Sequence, residues 1–125
     1  MASLRLLEEV YEFRIHSQVI DSALGLNGAG RYGGQCGLVE GFLMFIGLWA
    51  RANQIDDVDA KNICFGFASE FEDRFGCLLC SELRRKAIEL ASNPQHVCEQ
   101  LKVEAMFFGL NYLDRNMIMK SHANL

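Results

Sequence analysis

From Gly37 to Ala52 the chain carries apolar side chains on nearly every face of the helix that their spacing predicts. A helix without a polar face has to be enclosed by other elements, so the rest of the chain must wrap around this one. Its most apolar part, Leu38 to Ala50, is far shorter than the ~20 residues needed to cross a bilayer, and Glu40 stands within it. The segment therefore reads as a buried core helix, and no membrane insertion is expected.

The flanking segments also read as helices. The first is expected to start at Ser3 and continue through Tyr11, Ile15, Val19 and Leu24, apolar positions that recur at three to five residues. A loop over 25–34 follows, and six glycines between Gly25 and Gly37 permit positive φ and close backbone approach. Asp56, Asp57 and Asp59 cap a third helix with the stripe Ile63, Phe67, Phe71 and Phe75, flanked by Cys64 and Ala68 and ended by Gly76. Glu82 to Ala91 makes a fourth, starting at Cys80-Ser81. Asn93-Pro94 provides the cap and first position of a fifth, which carries Val97, Leu101, Ala105, Phe108 and Tyr112. No segment alternates like a strand between turn residues. The expected fold is all-α: one domain over 1–125, a bundle of about five helices with a glycine-rich loop between the first two.

Composition narrows the partners. At 125 residues, with 50% hydrophobic and 22% charged side chains and a single proline, the chain can bury one core and has no room for a long disordered segment. A net charge of −4, and no basic cluster longer than Arg84-Arg85-Lys86, argue against a nucleic-acid partner. Glu8 and Glu9 fall where a signal peptide needs its apolar stretch, so a cytoplasmic location is expected. In that reducing compartment five cysteines favour metal binding or redox cycling over structural disulfides.

Cys36, Cys77, Cys80 and Cys98 fall at or near expected helix starts, where backbone N–H groups without helical partners favour a thiolate. The Cys36 pKa is accordingly expected below the free-thiol value of ~8.5, with Cys36 or Cys80 alkylated before Cys64, a core residue of the Phe stripe. Gly28-Ala29-Gly30-Arg31-Tyr32-Gly33 has the spacing of a dinucleotide-binding turn but follows a helix and not a strand, so it lacks that meaning. It reads either as a nest of N–H groups around an anion, thiolate or cluster, or as a structural turn. Cys77-Leu78-Leu79-Cys80 is a dithiol or half a metal site, and Ser81 after it excludes covalent haem attachment of the c type. Glu40 and Glu82 are candidate bases or hydrogen-bond partners of a thiol. No Ser/His/Asp order, paired-carboxylate site or H-E-x-x-H motif is present.

Gly34-Gln35-Cys36-Gly37-Leu38-Val39-Glu40-Gly41, Phe71-Glu72-Asp73-Arg74-Phe75-Gly76-Cys77-Leu78-Leu79-Cys80-Ser81-Glu82-Leu83 and Cys98 together resemble the C-GCAxxG-C-C family of small redox-active proteins, over roughly residues 13–105. Three of the four family cysteines carry over, as Cys36, Cys80 and Cys98. His16 stands in place of the first, and Leu38 replaces the alanine of the glycine motif. The resemblance implies a redox role and, through similarity to the iron–sulfur-linked region of certain cytochromes, a cluster. Imidazole and thiolate both ligate zinc and iron–sulfur centres, so the histidine is chemically tolerable.

The expected site is Cys36, Cys80 and Cys98, with His16 as a fourth metal ligand and the Gly33, Gly34 and Gly37 backbone beside the cofactor. The expected function is electron or thiol transfer to an unidentified redox partner, or carriage of zinc or an iron–sulfur cluster. Two rivals stand beside it: a non-catalytic helical protein, as a homodimer, with a degenerate site; and a dithiol oxidoreductase using Cys77 and Cys80. Convergence of the sulfurs beside the 28–34 loop separates them.

Overall fold

The computed structural model describes residues 2–90 and 97–118. Six helices succeed one another: α1 Ala2–Val10, α2 Ser17–Ser22, α3 Gly37–Ala52, α4 Asp57–Phe75, α5 Cys80–Leu90 and α6 Val97–Leu113. A 3-10 turn, Ala23–Leu26, follows α2, and a π-helical turn, Asp114–Ile118, extends α6. Among the described residues no strand forms, and the all-α expectation holds. None of these helices is long and apolar enough to cross a membrane. The Asn93-Pro94 cap lies outside the described residues.

α3 is the central element, as its apolar surface requires, and packs against α1, α4 and α6. It buries Val39, Phe42, Phe45, Ile46 and Ala50. α4 lays Ile63, Phe67 and Phe71 on it. Phe67 is the hub: its ring stacks on Phe42 at 5.2 Å and meets the edges of Tyr112 at 5.4 Å and Phe108 at 5.7 Å. α4 is bounded by its own chemistry, since the Asp56 carboxylate accepts from the Asp59 amide at 2.9 Å and Gly76 closes the helix in the left-handed region.

The expected first helix is two. The chain leaves α1 at Val10, Glu12 turns into the left-handed region, and 13–16 run extended before α2. Tyr11, Phe13 and Ile15 alternate with exposed Glu12 and Arg14, a two-residue period that overlaps the three-to-five-residue spacings of a helix. Extension lets both Tyr11 and Phe13 reach the ring of Phe45, at 5.6 and 5.4 Å. Glu8 secures the corner by accepting from the Ile15 amide at 2.7 Å.

Two glycines inside helices are explained by aromatic neighbours. A Cβ on Gly109 would run into the Phe42 ring, and one on Gly66 would lie 2.5 Å from the Tyr112 hydroxyl, which donates to the Ile63 carbonyl at 2.6 Å. Glycine costs a helix interior about 1 kcal/mol relative to alanine, so the sign of a Gly66→Ala change depends on that hydroxyl. In chemical denaturation Gly66→Ala is expected to destabilise the wild type by about 1–3 kcal/mol through overpacking. In a Tyr112→Phe background it should stabilise; the same sign in both would show that the hydroxyl is not what Gly66 accommodates.

Candidate functional site

The glycine-rich segment is a strained turn. Gly28, Ala29, Gly30 and Arg31 all take positive φ, from 53° to 69°, so the chain makes one turn of left-handed helix. For Ala29 and Arg31 this costs roughly 1–2 kcal/mol each. The turn closes on one carbonyl, that of Gly28, which accepts from the amides of Gly33 at 2.9 Å and Gly34 at 3.0 Å. Gly28 has to be glycine for a second reason: a Cβ there would sit 3.3 Å from the Cys80 sulfur.

Past the turn, the chain meets the segment between α4 and α5 in an isolated antiparallel bridge, Gln35 opposite Leu79. The Cys36 amide donates to the Leu78 carbonyl at 2.8 Å, the Cys80 amide to Gly34 at 2.7 Å and the Ser81 amide to Gly33 at 3.3 Å. The first two amides of α5 are thus capped by the glycine-rich segment. Cys36 and Cys80 each follow a bridged residue and each open a helix, Cys36 as the N-cap of α3 and Cys80 as the first residue of α5.

Cys36 is 7% exposed, and Cys77 and Cys80 are half-buried. The Cys77 thiol points towards the Leu79 carbonyl at 3.9 Å. The expectation of a depressed Cys36 pKa is overturned: burial, the largest influence, pushes it above the ordinary thiol value. The Leu38 and Val39 amides act the other way, because they face the sulfur, but they fall short of a cap hydrogen bond. Negative charge on Cys80 or Cys77 would push it up further, so all three thiols share one electrostatic neighbourhood. Desolvation here outweighs the helix terminus. Burial also raises Cys64, which packs against the core as expected.

The other expected participants are distributed as follows. His16 is exposed and caps α2, its Nδ1 accepting from the Gln18 amide at 3.1 Å. Cys98 lies in the first turn of α6, and its side chain falls outside the described residues. Gly33 lies against Ser81, Gly34 against Ala29 and Gly37 against Asn27, each so closely that an added Cβ would crowd its neighbour. Glu82 pairs with Arg85 at 2.8 Å, which holds its carboxyl below the usual range. Among the described residues no three His, Cys, Asp or Glu side chains gather so as to hold a metal ion.

Cys77, singled out by its C-x-x-C spacing to Cys80 and not by the family pattern, belongs to the same neighbourhood as Cys36.

A protein-family model described as "Putative redox-active protein (C_GCAxxG_C_C)" matches residues 2–108. Searches of curated proteins and of solved structures return no match.

The raised Cys36 thiol has a consequence for stability. The unfolded chain gives up this proton first as pH rises, so the contribution is intact below the ordinary thiol value and is lost through the higher folded value. Cys64, Tyr11 and Tyr112, also raised by burial, act in the same direction. Urea midpoints should therefore fall between about pH 8 and pH 10 and fall less in Cys36→Ser. Equal losses in the two proteins would show that Cys36 titrates as a free thiol. Alkylation at neutral pH should modify Cys77 before Cys36, a result that faster labelling of Cys36 would reverse.

Proposed function

The chain belongs to the C_GCAxxG_C_C family, and from that premise and the geometry around Cys36 we propose that it carries out thiol–disulfide exchange. One observation carries the reading: the Gln35–Leu79 bridge fixes two helix-start cysteines in one neighbourhood with Cys77 beside them.

Exposure divides the labour. A thiolate at Cys77 or Cys80, the more accessible positions, attacks one sulfur of an incoming disulfide. That S–S bond breaks, and its electron pair leaves on the departing sulfur, which takes up a proton. A mixed disulfide remains on the protein. Cys36 then loses its proton and attacks the protein-side sulfur of the mixed disulfide; the second half departs as a thiol and an internal disulfide is left. The substrate disulfide is reduced to two thiols while two protein thiols are oxidised to one disulfide. Burial suits Cys36 to this second step, since a buried thiol meets solution oxidants poorly but reacts readily with a neighbour held beside it.

Protein equilibrated in glutathione buffers between about −320 and −180 mV, the span of cellular thiol poise, should form a reversible disulfide from Cys36 to Cys80 or Cys77, detected by peptide mapping. Cys36→Ser should stay folded, because serine is a preferred N-cap, and should accumulate the mixed disulfide. No disulfide among the three at any poise would overturn the reading. So would stoichiometric zinc, or iron with acid-labile sulfide, in anaerobically prepared protein, which would restore metal carriage through Cys36, Cys80, Cys98 and His16.

A further inference from the structure

A cavity of about 300 Å³ opens beside the start of α3, with Ser3, Asn27, Arg31, Gly37, Leu38 and Lys102 in its lining. Its charge is opposite to that of the chain as a whole, which carries −4. Arg31 comes from the left-handed turn and Lys102 from α6; both are exposed, and neither forms an ion pair among the described residues. Gly37 and Leu38 are the first two residues of α3, and the positive end of that helix attracts anions.

The second, independent observation is Ser3 on α1. It is wholly buried, it lines the cavity, and its hydroxyl has no hydrogen-bond partner. Such a hydroxyl is a destabilising feature unless something completes it. Two cations, a helix start and an orphaned hydroxyl around one small cavity define a receptor for a carboxylate, which accepts in two directions and pairs with a guanidinium through parallel hydrogen bonds.

The cavity draws its lining from the same stretches of chain that hold the thiols. Gly37 directly follows Cys36, while Asn27 and Gly30 lie one and two residues from Gly28, which packs on the Cys80 sulfur. We infer that the cavity anchors the carboxylate of a small disulfide or thiol, the substrate of the exchange reaction, on whose reading this inference rests. Its volume, at the small end of ligand sites, matches a low-molecular-weight substrate and not a protein chain.

Two measurements test this separately from the exchange reaction. The first uses the reduced wild-type protein titrated with adipate, a dicarboxylate without sulfur, and followed by NMR. Saturable shifts are expected at Arg31, Gly37 and Leu38, with affinity falling about tenfold in Lys102→Gln, as for a charge-assisted contact. Ser3→Ala should weaken binding roughly threefold to tenfold while raising the thermal midpoint, a pairing that a purely structural serine would not give.

The second compares oxidation of the reduced wild type by dithiodipropionate, a dianion, and cystamine, a dication, at low salt. Net charge alone favours cystamine; the cavity predicts that dithiodipropionate is faster, with the ratio collapsing towards one in Arg31→Gln/Lys102→Gln. Oxidation by both disulfides at equal rates with no adipate binding would overturn the inference and leave the exchange reading intact. Adipate binding in a protein that no disulfide oxidises would do the reverse, sustaining the carboxylate site and sinking the exchange reading.

Discussion

Two backbone hydrogen bonds, Cys36 to Leu78 and Cys80 to Gly34, hold the cysteine-bearing end of the molecule together. Neither segment belongs to a sheet, and each leads straight into a helix. The pair therefore fixes where α3 and α5 begin relative to one another, and with them the two cysteines. Because the Ser81 amide also bonds back to Gly33, the start of α5 needs no capping side chain. A position that would ordinarily take serine or aspartate is free to be Leu79, and the next residue is free to be cysteine.

The protonation of Cys36 follows from a contest with a clear winner. A helix start favours the thiolate through its amides, an effect that fades within the first turn. Burial acts on the whole charge and grows with depth, and at 7% exposure it prevails. An easily ionised thiol on the surface is suited to first contact with solution oxidants. A protected one beside two neighbours is suited to partnership within the protein.

Much of the scaffold was legible in the sequence because its signals are local. Gly37–Ala52 and Asp57–Phe75 matched their expected limits: α4 is marked by Asp56 and Gly76, and α3 by its unbroken apolar composition. The stretch from Tyr11 to Ile15 misled because a short two-residue period is easily absorbed into a helical one. Position at a helix start was readable for Cys36 and Cys80, but depth was not, since burial depends on how the whole core assembles. The cavity was illegible for a related reason: Ser3, Arg31 and Lys102 are isolated residues of ordinary type, and only the packing of α1 and α6 around the start of α3 unites them.

The left-handed turn at Gly28–Arg31 gives this small protein a region of inverted chirality. Ordinary residues resist that conformation because their Cβ atoms are of the wrong hand, and two of the four positions, Ala29 and Arg31, are ordinary residues. A mirror-image amino acid would be at ease there. In a chemically synthesised chain, D-alanine at position 29 would keep the composition unchanged and remove strain that every ribosomal version of this sequence has to carry.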